Sequence, residues 1–217
     1  MTQISSAVAG SMILNGAAPK GLHVKGYLYL RDCTRLTSLP EDLHVAGSLD
    51  LRGCTGLTSL PEGLHVEGNL YLRGCTGLTS LPEDLHVAGD LYLSGCTGLT
   101  SLPEGLHVGG YLYLGGCIGL RAIPRTAAQR SMLKRVADAV QAPGNRLGMG
   151  RWHTCETTHC IAGWVAYLAG VERGEAPSIA GYRLLGAEAA THFYDDDEDA
   201  MAWLLEAVAR DEAEDSR

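Results

Sequence analysis

Aromatic residues are scarce in this 217-residue chain, at 6%, and charged residues are few, at 19%. Phe193 is the sole phenylalanine, and all three tryptophans (Trp152, Trp164, Trp203) also lie beyond residue 150. Any core before that point rests on leucine and valine, so the core chemistry changes there, as it does at a domain boundary. No run approaches the ~20 apolar residues of a membrane span. The start, Met1 to Ala18, has an apolar stretch over Ala7–Leu14 with no basic residue ahead of it, which makes a poor secretory signal. A basic stripe is missing too. The net charge of −8 is confined to Asp195–Arg217, where ten acidic residues stand against two basic ones, and the remainder carries fifteen of each sign. That pattern argues against nucleic acid as a partner. Phosphate loops, dinucleotide fingerprints and separated zinc knuckles are also lacking, so no cofactor is implied. Hydrophobic residues at 46% exclude wholesale disorder.

What the chain has is a period. Cys33, Cys54, Cys75, Cys96 and Cys117 recur every 21 residues, and Pro40, Pro61, Pro82, Pro103 and Pro124 keep the same step. A fixed period of this length signals a solenoid, in which each turn buries its apolar face on the next. Residues 1–20 read as an N-terminal flank or cap and 21–125 as a solenoid of about five repeats. Residues 126–212 read as a helical C-terminal domain and 213–217 as an acidic tail. Five of the seven cysteines share one repeat slot, where a small thiol fills a buried position. They read as spacers in a reducing compartment rather than as a disulfide framework.

In the copy that begins at Asp90, Leu91 and Leu93 alternate with Asp90, Tyr92 and Ser94, the period-2 pattern of a short strand. Leu99 and Leu102 then point back inside across an irregular return. The L-T-S-L-P-E return recurs at Leu36–Glu41, Leu57–Glu62, Leu78–Glu83 and Leu99–Glu104. With the L-x-L strand and a cysteine close behind, it resembles the short bacterial leucine-rich repeats of secreted effector proteins. The chain departs from that type in having cysteine for the usual asparagine and one extra residue before the next leucine. Glycine (Gly26, Gly47, Gly68, Gly89, Gly110) also stands near the slot of the first strand leucine. The resemblance implies parallel strands on a concave face and a role in protein binding. The rival reading is a right-handed β-helix with strands at both L-H-V and L-Y-L, and it ranks second.

Parallel neighbours lie ~4.8 Å apart, so equal positions stack into columns. One column reads Tyr29, Asp50, Tyr71, Tyr92, Tyr113. Its neighbours read Tyr27, Ser48, Asn69, Asp90, Tyr111 and Arg31, Arg52, Arg73, Ser94, Gly115. These columns vary from copy to copy while the leucine columns do not, and tyrosine and arginine are the common anchors of protein interfaces. The expected partner-binding set is Tyr27, Tyr29, Arg31, Asp50, Arg52, Asn69, Tyr71, Arg73, Asp90, Tyr92, Tyr111 and Tyr113. The plainer account is that tyrosines favour strands and cover one another along a ladder. A further column, His23, His44, His65, His86 and His107, could bind metal or sense pH. The ordinary expectation is a solvated position copied with the repeat.

Beyond the repeats, Thr126–Gln129 is a capping-box pattern followed by helical spacing of Met132, Leu133, Val136 and Val140. Further helices are expected over about 158–169, 177–185 and 196–210, the last with Met201, Leu204, Leu205 and Val208 on one side. The string Cys155-Glu-Thr-Thr-His-Cys160-Ile-Ala-Gly-Trp164 resembles a family of small bacterial and phage proteins carrying C-x-T-x-x-C-x-A-G-W. Leu184-Leu185-Gly186 and Phe193-Tyr194 extend the likeness, which brings no activity with it. Three chemical readings stand side by side. Both thiols are packed or linked, which the placement of Trp164 one turn after Cys160 favours. Cys160 is a nucleophile opening a helix, with His159 or His192 as base. His153, Cys155, His159 and Cys160 hold a metal, against which their crowding counts.

The expected function is non-enzymatic protein recognition by the repeats, as in a bacterial effector or phage-related interaction protein. Its location is cytoplasmic, or inside a host cell after delivery. The alternative is a cysteine-dependent enzyme in which the repeats select substrate.

Overall fold

The structure is a computed structural model, and it describes residues 3–103, 105–122, 125–147, 158–159, 161–169, 177–193 and 197–215. The chain forms two compact units, Met1–Ala122 and Ile123–Arg217. The first is a β-solenoid of about five turns and the second is mainly helical, so the chain is a repeat solenoid followed by a small helical domain.

In the solenoid, β1 (Gln3–Ser5) and α1 (Ser6–Leu14) precede the turns. Each turn then contributes two very short strands. They are β2 (His23–Lys25) and β3 (Leu28–Tyr29), β4 (His44–Val45) and β5 (Leu49–Asp50), β6 (His65–Val66) and β7 (Leu70–Tyr71), β8 (His86–Val87) and β9 (Leu91–Tyr92), and β10 (His107–Val108) and β11 (Leu112–Tyr113). They assemble into two parallel ladders. One has six strands, β1-β2-β4-β6-β8-β10, and the other has five, β11-β9-β7-β5-β3. Every pair between turns is in register at a step of 21, such as Leu49↔Leu70 and His65↔His86. The strand distribution is thus the one the two-strand reading describes, with H-V pairing as fully as L-Y. The cause lies in Val24, Val45, Val66, Val87 and Val108, which are buried like the leucines and pin the second ladder to the core.

The leucine columns are almost wholly buried. Leu28, Leu49, Leu70 and Leu91 are 0% exposed and Leu112 is 1% exposed. Each such side chain is worth about 1.5–3 kcal/mol of burial, and stacking of like turns supplies much of its cover. The bend before each cysteine needs a positive φ, which Gly53, Gly74, Gly95 and Gly116 supply; Asp32 (φ 57°) does so in the first turn. Cys54, Cys75, Cys96 and Cys117 are fully buried, and each Sγ donates to a carbonyl of the preceding turn (Leu30, Leu51, Leu72, Leu93) at 3.0–3.1 Å. Cys33, in the first turn, is half-buried and reaches only Arg31 O, at 3.7 Å. The repeat cysteines are free thiols that close the corner, as the spacer reading requires.

A second feature of the turn is a close approach. A Cβ on Gly56, Gly77 or Gly98 would sit 2.3, 2.4 or 2.5 Å from the carbonyl oxygen of the preceding turn's threonine. Arg35 occupies the same slot in the first turn, which has no repeat before it. The glycine is therefore imposed by stacking, and the exception shows where stacking begins.

The second unit starts after a 3₁₀ turn (Ile118–Ala122). Its elements are α2 (Ala127–Gln141), β12 (Arg146–Leu147), β13 (Thr158–His159), α3 (Ile161–Ala169), α4 (Pro177–Leu185), α5 (Ala187–Ala190) and α6 (Asp197–Asp215). The capping box is formed: Thr126 Oγ1 accepts from Gln129 N at 3.2 Å, and Thr126 N donates to Gln129 Oε1 at 2.9 Å. Leu133, Val136, Ala137 and Val140 are the buried face of α2. Thr158 and His159, expected to open a helix, instead pair in parallel with Arg146–Leu147, and α3 begins at Ile161. The face of α6 also differs from expectation. Ala200, Leu204, Ala207 and Asp211 are buried, while Leu205 is exposed and Met201 and Val208 are half-buried.

The burial of Asp211 has an electrostatic cause. Arg125, buried, donates through Nε and Nη2 to both Asp211 oxygens at 2.9 Å and through Nη1 to Glu188. Arg210 adds two bonds to Glu188 at 2.8 Å. Burial alone would raise the Glu188 carboxyl, but the hydrogen bonds and charges of Arg210 and Arg125 outweigh it and hold it below its ordinary value. Asp211, counted by sequence within the acidic end, is thus a core residue. Helix α6 runs to Asp215, so the segment read as a tail from 213 is helical to that point. Among the described residues no helix is long and apolar enough to cross a membrane.

Candidate interaction face

The outward positions of the five-stranded ladder carry the three variable columns. Ring stacking orders the middle one. Tyr71 and Tyr92 have centroids 4.8 Å apart at 15°, and Tyr92 and Tyr113 are 4.5 Å apart at 4°. Asp50 breaks the stack. It is buried, and Arg52 grips it through Nε to Oδ1 at 2.9 Å and Nη2 to Oδ2 at 2.5 Å. Burial would raise the Asp50 carboxyl, yet the Arg52 hydrogen bonds dominate and leave it below the ordinary range. The same guanidinium lies over the Tyr71 ring at 5.2 Å, which continues the stack with a cation in place of a ring.

The adjacent column turns out to serve the scaffold as well. Ser48 Oγ accepts from Asn69 N at 2.9 Å, Asn69 Oδ1 from Asp90 N at 2.9 Å, and Asp90 Oδ1 from Tyr111 N at 2.8 Å. Each short side chain thereby satisfies the backbone donor one turn on. The remaining atoms reach sideways to the tyrosines: Asn69 Nδ2 donates to Tyr71 Oη at 3.0 Å and Tyr92 Oη to Asp90 Oδ2 at 2.9 Å. Burial first, and then the bond to Asp90, raises the Tyr92 phenol above its ordinary value. Sequence reading placed Asn69 and Asp90 on this face but missed the oxygen ladder. The readable signal was three successive turns with a short oxygen-bearing side chain, Ser48, Asn69 and Asp90, between Tyr27 and Tyr111.

At the margins the face is open. Tyr29, Tyr27 and Tyr111 are 67%, 56% and 43% exposed, Arg73 is exposed, and Arg31 is exposed with its Nε 3.2 Å from Asp32. The twelve expected residues therefore lie in three adjoining columns: Asp50, Arg52, Tyr71, Tyr92 and Tyr113 are held by stacking or ion pairing, Asn69 and Asp90 by hydrogen bonds, and Tyr27, Tyr29, Arg31, Arg73 and Tyr111 are exposed.

Of the chemical candidates of the second unit, His192 alone has a described side chain. Cys155, Cys160 and His153 lie outside the described residues, and His159 is described only as backbone of β13. His192 stacks on Trp203 with centroids 4.6 Å apart at 13°, beside the Glu188 cluster. On the six-stranded ladder the histidines form a continuous stack from His23 to His107, with centroid spacings of 4.5–4.8 Å.

Two parallel ladders, a leucine core and a locked aromatic ridge define the class: a β-solenoid repeat protein with a helical C-terminal domain. No family model matches the chain, no curated protein matches its sequence and no solved structure matches its fold.

Proposed function

We propose that the protein is a recognition module that binds another protein through the tyrosine- and arginine-bearing face of the five-stranded ladder. The observation that carries this reading is the contrast between columns. Buried leucine positions are identical from turn to turn, whereas the outward positions change among Tyr, Asp, Asn, Arg and Ser along one strip with exposed margins. Stacking and ion pairing hold Tyr71, Tyr92, Tyr113 and Arg52 in place before a partner arrives, which lowers the ordering cost of binding. The exposed tyrosines at both ends extend the strip and offer apolar ring surface with a polar tip.

The partner is a protein rather than nucleic acid, because the solenoid has no basic excess and the far end of the chain is acidic. The L-T-S-L-P-E return supports a setting like that of delivered bacterial effectors, and the C-x-T-x-x-C-x-A-G-W string one like that of phage-related interaction proteins. The protein would then act in the cytoplasm of its source or inside a host cell.

The test is affinity capture from the native host with the intact protein and with a Tyr71→Ala, Arg73→Ala, Tyr92→Ala variant. Capture of a defined protein by the intact chain and its loss in the variant is the expected result. Equal capture by both would remove this face from the account.

A further inference from the structure

The histidine column repeats in all five turns, but its surroundings do not. The position two residues further on, which shares its face of the ladder, reads Lys25, Ala46, Glu67, Ala88 and Gly109. A carboxylate is present once. Glu67 continues the ladder, with its N–H bonded to Val45 O at 3.0 Å, and its side chain leans back one turn so that Oε1 lies 2.9 Å from His44 Nε2. His65 stacks between His44 and His86, and the ligand atoms of His44, His65 and Glu67 all lie within 4.8 Å of one another. Among the described residues this is the sole group of three or more such side chains close enough to share a metal ion.

We propose that His44, His65 and Glu67 form a binding site for a divalent first-row transition-metal ion of the zinc type. Two imidazole nitrogens and a carboxylate oxygen are borderline donors that suit such an ion, and three protein ligands leave a fourth position for water or an incoming group. The 2.9 Å between His44 Nε2 and Glu67 Oε1 is already a separation that two ligands on one ion adopt. Bonds of ~2.0–2.1 Å require the two imidazole nitrogens to come within ~4.2 Å, so His44 and His65 must tilt slightly out of their parallel stack. Both rings are half-buried, which leaves one edge toward solvent for the ion to enter. Binding replaces the His44–Glu67 hydrogen bond with a bond from each group to the metal, His44 taking the tautomer that leaves Nε2 unprotonated. The site lies on the six-stranded ladder and is independent of the face proposed for partner binding.

Alanine stands at 46 and 88 in the column of Glu67, so Glu67→Ala introduces a side chain the turn already accepts. The experiment titrates the full chain with Co²⁺, followed by its visible absorption, and with Zn²⁺ by calorimetry. It compares intact protein with the Glu67→Ala, His44→Ala and His107→Ala variants, each checked by thermal melting. The expected result is a Co²⁺ spectrum with no thiolate charge-transfer band that disappears in Glu67→Ala and His44→Ala and persists in His107→Ala. Zn²⁺ affinity should fall at least ~10- to 100-fold in the first two, since partners outside the ligand shell alone are worth that much. Unchanged stoichiometry and affinity in Glu67→Ala, or an equal loss in His107→Ala, would overturn the proposal.

Discussion

Raising the pH should dismantle the solenoid through its cysteines, and Cys75→Ser should blunt that effect. Burial pushes the Cys75 thiol from its ordinary 9.0 to about 12, and Cys54 and Cys117 to about 11, with Cys96 raised as well. The native state thus keeps these protons after the unfolded chain has released them. Below pH 9 both states are protonated and the thiols add no pH dependence. Above it, unfolding gains about 1.4 kcal/mol per pH unit for each thiol until the native value is reached. Four such groups act in the same direction, so the alkaline loss falls on a stability of only about 5–15 kcal/mol. Serine can still donate to Leu51 O, as Cys75 Sγ does at 3.1 Å, but it does not ionise in this range. The assay is urea unfolding of both proteins at intervals from pH 7 to 11. Cys75→Ser should be less stable at neutral pH by about 1 kcal/mol, and its alkaline decline should be shallower by about 1.4 kcal/mol per pH unit. Parallel curves for the two proteins up to pH 11 would refute the buried-thiol argument.

Gly77→Ala places a Cβ 2.4 Å from Thr55 O and should cost about 1–3 kcal/mol in denaturant melts, whereas Arg35→Ala in the equivalent slot should stay within about 0.5 kcal/mol. Arg125→Ala leaves Asp211 and Glu188 buried with a partner removed and should cost about 3–5 kcal/mol, read as loss of helical circular dichroism at lower denaturant. Because the Glu188 carboxyl is held below its ordinary value of 4.5, the stability it adds is present above about that pH and is lost as pH falls through its native value. Glu188→Gln should therefore flatten the acid limb of the stability curve, and an unchanged acid limb would contradict the assignment.

The period of 21 made the solenoid legible at once, because each turn must present the same apolar atoms to the next. Valine at 24, 45, 66, 87 and 108 carried as much pairing information as the leucines, yet a two-residue strand has no alternation to read. For that reason the second ladder was visible in the sequence only as an alternative. The cysteines were readable as spacers because nothing but a small side chain suits a repeated corner. The oxygen ladder of Ser48, Asn69 and Asp90 was not, since a side chain that bonds the next turn looks like any surface polar residue in one dimension. Asp211 and Arg125 are 86 residues apart in the chain, and no local pattern announces a pair of that separation. On the face itself the sequence named the residues correctly as neighbours. It could not foresee that Asp50 would be buried under Arg52 while Tyr29, in the same column, stands 67% exposed.

Recognition by the five-stranded ladder is tested most directly by the affinity of the captured partner for face variants. Tyr71→Ala, Arg73→Ala and Tyr92→Ala together should weaken binding by about 100-fold or more, at about 2 kcal/mol or more per anchor before non-additivity, with melting behaviour preserved. His86→Ala, on the six-stranded ladder, should bind as the intact protein does. Full affinity in the triple variant, or a loss confined to His86→Ala, would contradict the account.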